Sequence, residues 1–189
     1  LGDAVLDKPG HEISLEAVPE VTLPPRFVSR GGEKLAAALE ALPVQVEGRC
    51  CLDAGISTGG FSDCLLQHGA SRIYGIDVGY GQTAWSLRQD PRVVLRERTN
   101  LRHLTPEDLY GPGDPQPDLA VADLSFISLS RVLEPMQGLL AGGPQAEAVL
   151  LVKPQFEVGR ERVGKGGVVR DPKAHADAIA LVAAAAEPL

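Results

Sequence analysis

Cysteine is scarce in this chain. Cys50, Cys51 and Cys64 are the only three among 189 residues. An odd count with two adjacent members excludes a disulfide framework and suits reduced thiols, which places the expected setting in the cytoplasm. No Cys/His spacing suits zinc, so no metal is expected. Long apolar runs are also missing. The longest, residues 178–186, is mostly alanine and falls far short of the ~20 residues of a membrane helix. The first residues lack the charged-then-apolar pattern of a secretion signal. There is no Gly-x-Ser-x-Gly and no histidine at an expected strand end, which argues against acyl transfer. Excess positive charge is absent as well: the formal net charge is −7. That counts against a general nucleic-acid binder.

What is present is ordinary for a soluble globular domain with a real core: 44% hydrophobic and 23% charged residues. The distribution of charge says more than its sum. Arg26, Arg30 and Lys34 stand against Glu33. Lys153, Arg160, Arg162, Lys165, Arg170 and Lys173 stand against Glu157, Glu161 and Asp171. Two basic segments on an acidic body can focus phosphates at one place, or simply be solvated loops.

The most informative stretch runs from Cys51 to Asp63. A short apolar run ends in Asp53-Ala54-Gly55, a small-residue loop Ile56-Ser57-Thr58-Gly59-Gly60 follows, and a helical pattern begins at Phe61. That is strand, tight turn, helix. Glycines let backbone approach a ligand, and a helix N-terminus offers free N–H groups. A second apolar run, Ile73-Tyr74-Gly75-Ile76, stops at Asp77, whose carboxylate can accept hydrogen bonds from a ribose diol. An adenosine-type cofactor is implied. The spacing Gly55-x-x-x-Gly59-Gly60 matches the dinucleotide pattern Gly-x-Gly-x-x-Gly poorly. S-adenosylmethionine fits better, with Asp53 placed to take its ammonium. A turn whose glycines serve packing only is the plainer alternative.

Periodicity organises the rest. Residues 1–25 read as a short strand and a linker. Helical patterns cover 33–42, 60–68, 82–88, 129–140 and 172–187; strands are expected at 49–54, 72–76, 92–95, 118–122 and 148–152. Residues 154–171 read as a Gly- and Arg-rich loop. Alternating strands and helices, with continuously apolar strands, predict an α/β fold: a mostly parallel sheet with helices on both faces. The chain stops after a helix, so further strands are expected to be missing from it.

Ligands in such sheets bind beyond the carboxyl ends of the strands. Asp53, Asp77, Asp123 and Lys153 all fall there. A lone Asp or Lys at a strand end is usually a cap or solvated; two on neighbouring strands beside a cofactor loop suggest a shared site. Asn100, in Glu97-Arg98-Thr99-Asn100, could meet the adenine or serve as a turn residue. A lysine acts as a base when burial or a second cation destabilises its ammonium. The chemistry that suits the set is removal of a proton from a hydroxyl as it attacks a sulfonium methyl, with in-line alignment and modest general-base help.

Several segments carry a family resemblance: Phe27-Val28-Ser29-Arg30-Gly31-Gly32-Glu33-Lys34-Leu35, the Asp53–Phe61 loop, Glu97-Arg98-Thr99-Asn100, Asp123-Leu124-Ser125-Phe126-Ile127-Ser128, Lys153-Pro154-Gln155-Phe156-Glu157 and Gly164-Lys165-Gly166-Gly167-Val168-Val169-Arg170-Asp171. Over roughly residues 5–180 the chain resembles the TlyA family, whose FtsJ-like domains are Rossmann-like S-adenosylmethionine-dependent methyltransferases. Members are ribosomal RNA cytidine-2′-O-methyltransferases, also called hemolysin A. The resemblance implies a catalytic set of Lys34, Asp123 and Lys153. It implies a donor site of Asp53, Gly55, Ser57, Thr58, Gly59, Gly60, Phe61, Asp77, Asn100 and Asp123. The glutamate of the family's Lys-Asp-Lys-Glu tetrad belongs to a later strand, and Glu157 is not assigned that role. Ribosomal RNA, within ribosomal subunits, is the implied partner. Residues 1–25 would be the remnant of an S4-type RNA-binding domain plus linker, residues 26–189 a C-terminally incomplete methyltransferase domain. A non-catalytic RNA-binding or ribosome-assembly factor is the main alternative. A membrane-active hemolysin is disfavoured, because no amphipathic or spanning segment is seen.

Overall fold

A computed structural model describes residues 24–189. The expected strand and most of the linker at 1–25 therefore lie outside the described residues.

Five parallel strands form one sheet in the order β3-β2-β1-β4-β5. They are β1 (Cys50–Ala54), β2 (Arg72–Ile76), β3 (Val93–Arg96), β4 (Leu119–Ala122) and β5 (Glu147–Leu150). Register is tight: Asp53 lies opposite Gly75 on one side and Val121 on the other. The helices are α1 (Gly31–Ala41), α2 (Gly60–Gln67), α3 (Trp85–Gln89), α4 (Pro106–Leu109), α5 (Leu133–Gly138), α6 (Pro154–Glu157) and α7 (Pro172–Ala186).

Strand alternation sorts the core into two layers. Leu52, Ala54, Tyr74, Ile76, Ala120 and Ala122 pack with Leu133, Met136 and Leu139 around α5, and with Val182 of α7. Cys51, Ile73, Leu119, Val121 and Val149 face the other way, onto Phe27, Leu35, Phe61 and Leu65 from the α1–α2 side. All of β1, β4 and four residues of β2 are buried, as the continuous apolar runs demand. Among the described residues, no helix is long and apolar enough to cross a membrane, and no group of three or more His, Cys, Asp or Glu residues could hold a metal ion. The three cysteines are buried free thiols.

Departures from the expected elements have local causes. The helix expected over 129–140 divides into a 3-10 turn, Leu129–Arg131, and α5. Ser128 caps the turn by accepting from the Ser130 N–H, and Pro135 then sits in the first turn of α5, where its missing N–H costs little. The helix expected over 82–88 begins only at Trp85, because the Thr83 hydroxyl donates to the Ser57 carbonyl at 2.9 Å. The expected loop at 154–171 contains α6 and two 3-10 turns. Unanticipated α4 had a readable signal: Thr105-Pro106-Glu107-Asp108 forms a capping box, with proline at the first helical position.

The chain runs from β1 outward to β2 and β3, then returns to β4 and β5 on the opposite side. The loops after β1 and β4 therefore diverge from adjacent strands. A crevice opens there, at the topological switch point of an open α/β sheet.

Candidate active site

A cleft of about 1080 Å³ occupies that crevice. Its floor is the turn after β1. Gly55 and Gly59 adopt left-handed backbone, with φ of +83° and +97°, a region costly for residues with a Cβ. Ser57 is left-handed too, at φ +48°. The Gly55 and Ile56 N–H groups donate to the Ile76 carbonyl at 2.8 and 3.1 Å, and the Gly59 N–H donates to the Ile56 carbonyl at 2.7 Å. A Cβ on Gly55 would lie 2.9 Å from a Leu124 methyl, so the bare glycine lets the loop after β4 rest against the turn.

Asp77 organises the far wall. One carboxylate oxygen accepts from the Ser57 N–H at 2.8 Å, the other from the Gly79 N–H at 2.7 Å. Glu97 extends the pattern, accepting from the Gly81 N–H at 2.7 Å and pairing with Arg88. Asn100 accepts from the Arg102 N–H at 3.1 Å and so caps a 3-10 turn, while also lining the cleft. Gln82 joins this wall.

The near wall carries the charge. Asp123, just past β4, sits between two lysines from distant parts of the chain. Lys153 Nζ, just past β5, lies 2.5 Å from Oδ1, and Lys34 Nζ, on α1, lies 3.0 Å from Oδ2. Lys153 also donates to the Ser125 hydroxyl at 2.9 Å. Burial pulls the Asp123 carboxyl upward, but hydrogen bonds from Lys153 and Lys34 outweigh it and hold the group below the ordinary carboxylate value. Lys153 is mostly covered, whereas Lys34 keeps nearly half of its side chain in solvent. An ionised carboxylate between two ammoniums leaves a net positive rim, suited to a phosphate-bearing substrate.

Of the residues singled out from sequence, Lys34, Asp123, Lys153, Gly55, Ser57, Thr58, Gly60, Phe61, Asp77 and Asn100 line this one cleft. Asp53 and Gly59 are not on its wall. Asp53 is 1% exposed, tucked beneath the turn, where one oxygen accepts from the Ser62 hydroxyl at 2.6 Å. Its Oδ1 is buried with no partner. Burial pushes this carboxyl up to about 7, against the opposing hydrogen bonds from Ser62. Gly59 faces Leu87, whose side chain fills the place of a Cβ. Gly60 both lines the cleft and serves packing: a Cβ there would crowd Ser29 and come within 2.8 Å of the Gly32 nitrogen. The N-termini of α1 and α2 therefore meet at that glycine.

Sequence reasoning missed Ser29, Arg30, Ser125, Phe126 and Ile127 as cleft residues. Phe126 is 92% exposed and left-handed, at φ +66°, and its ring centre lies 5.5 Å from that of Phe156. Ser125 and Phe126 stand within three residues of Asp123, so proximity to a strand-end acid was the available signal.

A parallel sheet, a glycine turn under a cleft and an Asp held by two lysines meet at one end of this fold. Residues 27–188 match the FtsJ-like methyltransferase family. The chain belongs to that family. YqxC of Bacillus subtilis is 53% identical over 175 residues, covering 92% of this chain and 60% of YqxC. The 16S/23S rRNA (cytidine-2′-O)-methyltransferase TlyA of Mycobacterium tuberculosis is 56% identical over 163 residues, covering 86% of this chain and 59% of TlyA. A crystal structure from Lactococcus lactis, of a protein provisionally described as a hemolysin, superposes with a TM-score of 0.81 at 44% identity, covering 87% of this chain and 76% of that one. The chain spans about 60% of the length of these two curated relatives. Expectation and finding agree on the family and on the Rossmann-like sheet.

Proposed function

We propose that this chain forms the catalytic domain of an S-adenosylmethionine-dependent enzyme that methylates the ribose 2′-hydroxyl of cytidine in ribosomal RNA. The observation that carries the reading is Asp123 held by Lys34 and Lys153 on the wall of the cleft floored by the Gly55–Gly60 turn. The substrate class follows from the similarity to TlyA.

The residues fit the donor. Asp77 presents a carboxylate, fixed by two backbone N–H groups, to a ribose diol. The bare turn offers backbone to the methionine part, while Asp53, sealed beneath that turn, supports it from below and does not reach the cleft. When bound, the donor supplies an electrophilic sulfonium methyl. Asn100, Gln82 and Val78 form the wall for the base. Lys153 Nζ, once its ammonium has released a proton to solvent, is the neutral amine that accepts the proton of the attacking 2′-hydroxyl. Asp123 and Ser125 fix where that nitrogen stands, which is alignment more than acid–base strength. Lys34, more exposed, holds phosphate or ribose. Phe126 presents an aromatic face at the cleft mouth, a surface on which an unpaired base stacks.

The test is Lys153→Ala in the full-length protein, read by calorimetry for the donor and by methyl transfer to ribosomal RNA. Donor binding is expected to persist while transfer falls by a factor on the order of 10²–10⁴. Unimpaired transfer overturns the assignment.

A further inference from the structure

The short helix α6 bridges the two loops that build the near wall. At its N-cap, Lys153 reaches Asp123 and Ser125. At its other end, Glu157 reaches back to the same loop further along. One Glu157 oxygen accepts from the Ser128 hydroxyl at 2.6 Å, and the other accepts from the Leu129 N–H at 2.9 Å. Between them, Phe156 meets Phe126. The Asp123–Leu129 loop is thus held at its start by a lysine and at its end by a carboxylate, both from one helical turn.

That loop needs holding. It carries Phe126 in left-handed backbone, a conformation that costs about 1–3 kcal/mol at a non-glycine residue and persists only where neighbours over-determine it. Phe126 itself is almost wholly solvated, so its side chain contributes little burial. The Ser128 hydroxyl also lies 2.7 Å from that of Ser130 and caps the 3-10 turn that starts α5. Glu157 is half-buried and fully engaged, with no ion pair among the described residues. It does not face the cleft.

We infer that Glu157 is a positioning residue: it clamps the loop after β4 through Ser128 and Leu129, and so sets the separation and direction of Asp123 and Lys153. It touches neither donor nor acceptor. The inference rests on the methyl-transfer reading for its kinetic consequence, but the clamp itself has an independent readout.

The experiment compares wild type, Glu157→Ala, Glu157→Gln, Ser128→Ala and the Ser128→Ala/Glu157→Ala double variant of the full-length protein. Loss of the clamp lets the site drift by a fraction of an ångström or more, so Glu157→Ala is expected to lower kcat on the order of 10–100-fold. The donor Kd should stay within about threefold, because the donor half of the cleft keeps all its contacts. Glu157→Gln keeps one carbonyl acceptor and should recover part of the loss. The double variant should fall short of the sum of the singles, as residues in one network do. Hydrogen exchange supplies the second arm: amides of residues 125–129 should exchange about tenfold faster in Glu157→Ala, with β1 and β2 unchanged. A kcat no lower than that of Leu139→Ala, a core variant remote from the cleft, overturns the inference. So does unchanged exchange in the loop. If wild type itself transfers no methyl group, the methyl-transfer reading fails, and the exchange arm alone decides the clamp.

Discussion

Asp53 and Asp123 end neighbouring strands and meet opposite fates. Asp53, at the end of β1, is sealed under the glycine turn with one hydroxyl partner and an orphaned oxygen, and burial raises its carboxyl to about 7. Asp123, one residue beyond β4, lines the cleft, is mostly covered and is paired to two lysines, and its carboxyl is lowered. The same contrast runs through the two halves of the cleft. On the β1–β2–β3 side, Asp77 binds only backbone N–H groups, those of Ser57 and Gly79, and Glu97, outside the cleft lining, combines the Gly81 N–H with Arg88. On the β4–β5 side, a carboxylate binds cations. Backbone-bound acids fix the shape of a pocket, whereas cation-bound acids fix where charge sits. The first suits holding a donor, the second suits activating an acceptor.

The sharpest way to break this division is the pair Lys153→Ala and Asp77→Ala. Lys153→Ala should lose transfer by 10²–10⁴-fold, about 3–5 kcal/mol of barrier, at unchanged donor affinity. Next in size is the pH dependence that Asp53 contributes. An unfolded aspartate titrates near 4, and the folded group near 7. As pH rises across that window the unfolded chain releases a proton that the folded one keeps, so stability falls. Urea unfolding of wild type and Asp53→Asn at pH 4.5 and 7.5 should show wild type losing at most about 4 kcal/mol more than the variant. Asp123 works with the other sign: its contribution is complete above the unfolded value and is lost as pH drops below it.

Asp77→Ala comes third. Donor Kd should rise about 10–100-fold, as for loss of hydrogen bonds to a charged group, with transfer at saturating donor nearly retained. Equal damage to both quantities in Asp77→Ala and Lys153→Ala would erase the distinction between the two halves. The smallest effect is expected from Gly60→Ala. The added methyl meets Ser29 and the Gly32 backbone, and overpacking of this kind costs about 1–3 kcal/mol. Thermal unfolding checks it.

The donor half was the more legible in sequence, and the reason is physical. A tight turn needs glycine at a left-handed φ, and a strand-end acid follows a continuous apolar run, so Gly55, Gly59 and Asp77 announce themselves locally. β2 was placed to the residue for the same reason. The acceptor half depends on contacts between segments far apart in the chain. Lys34 and Asp123 are 89 positions apart, yet their side chains are 3.0 Å from one another. Only the family resemblance joined them beforehand. Nothing local signalled that Phe126 would sit exposed in left-handed backbone, or that Glu157 would turn away from the cleft toward Ser128. The role expected for Asp53 illustrates a subtler limit. A strand-end position predicts proximity to a ligand, but the pleat decides whether the side chain points into the cleft or under its floor.

The seam where α1 rests on α2 has a consequence for how this sequence can vary. Ser29, Gly31, Gly32 and Gly60 occupy one crowded junction, and Lys34 rides on the helix that begins there. Their sizes are coupled. A relative that carries a side chain at position 60 has to give up volume at 29 and accept α1 displaced outward, with a lysine that no longer meets its aspartate. Substitutions at these four places are therefore expected to travel together through descent.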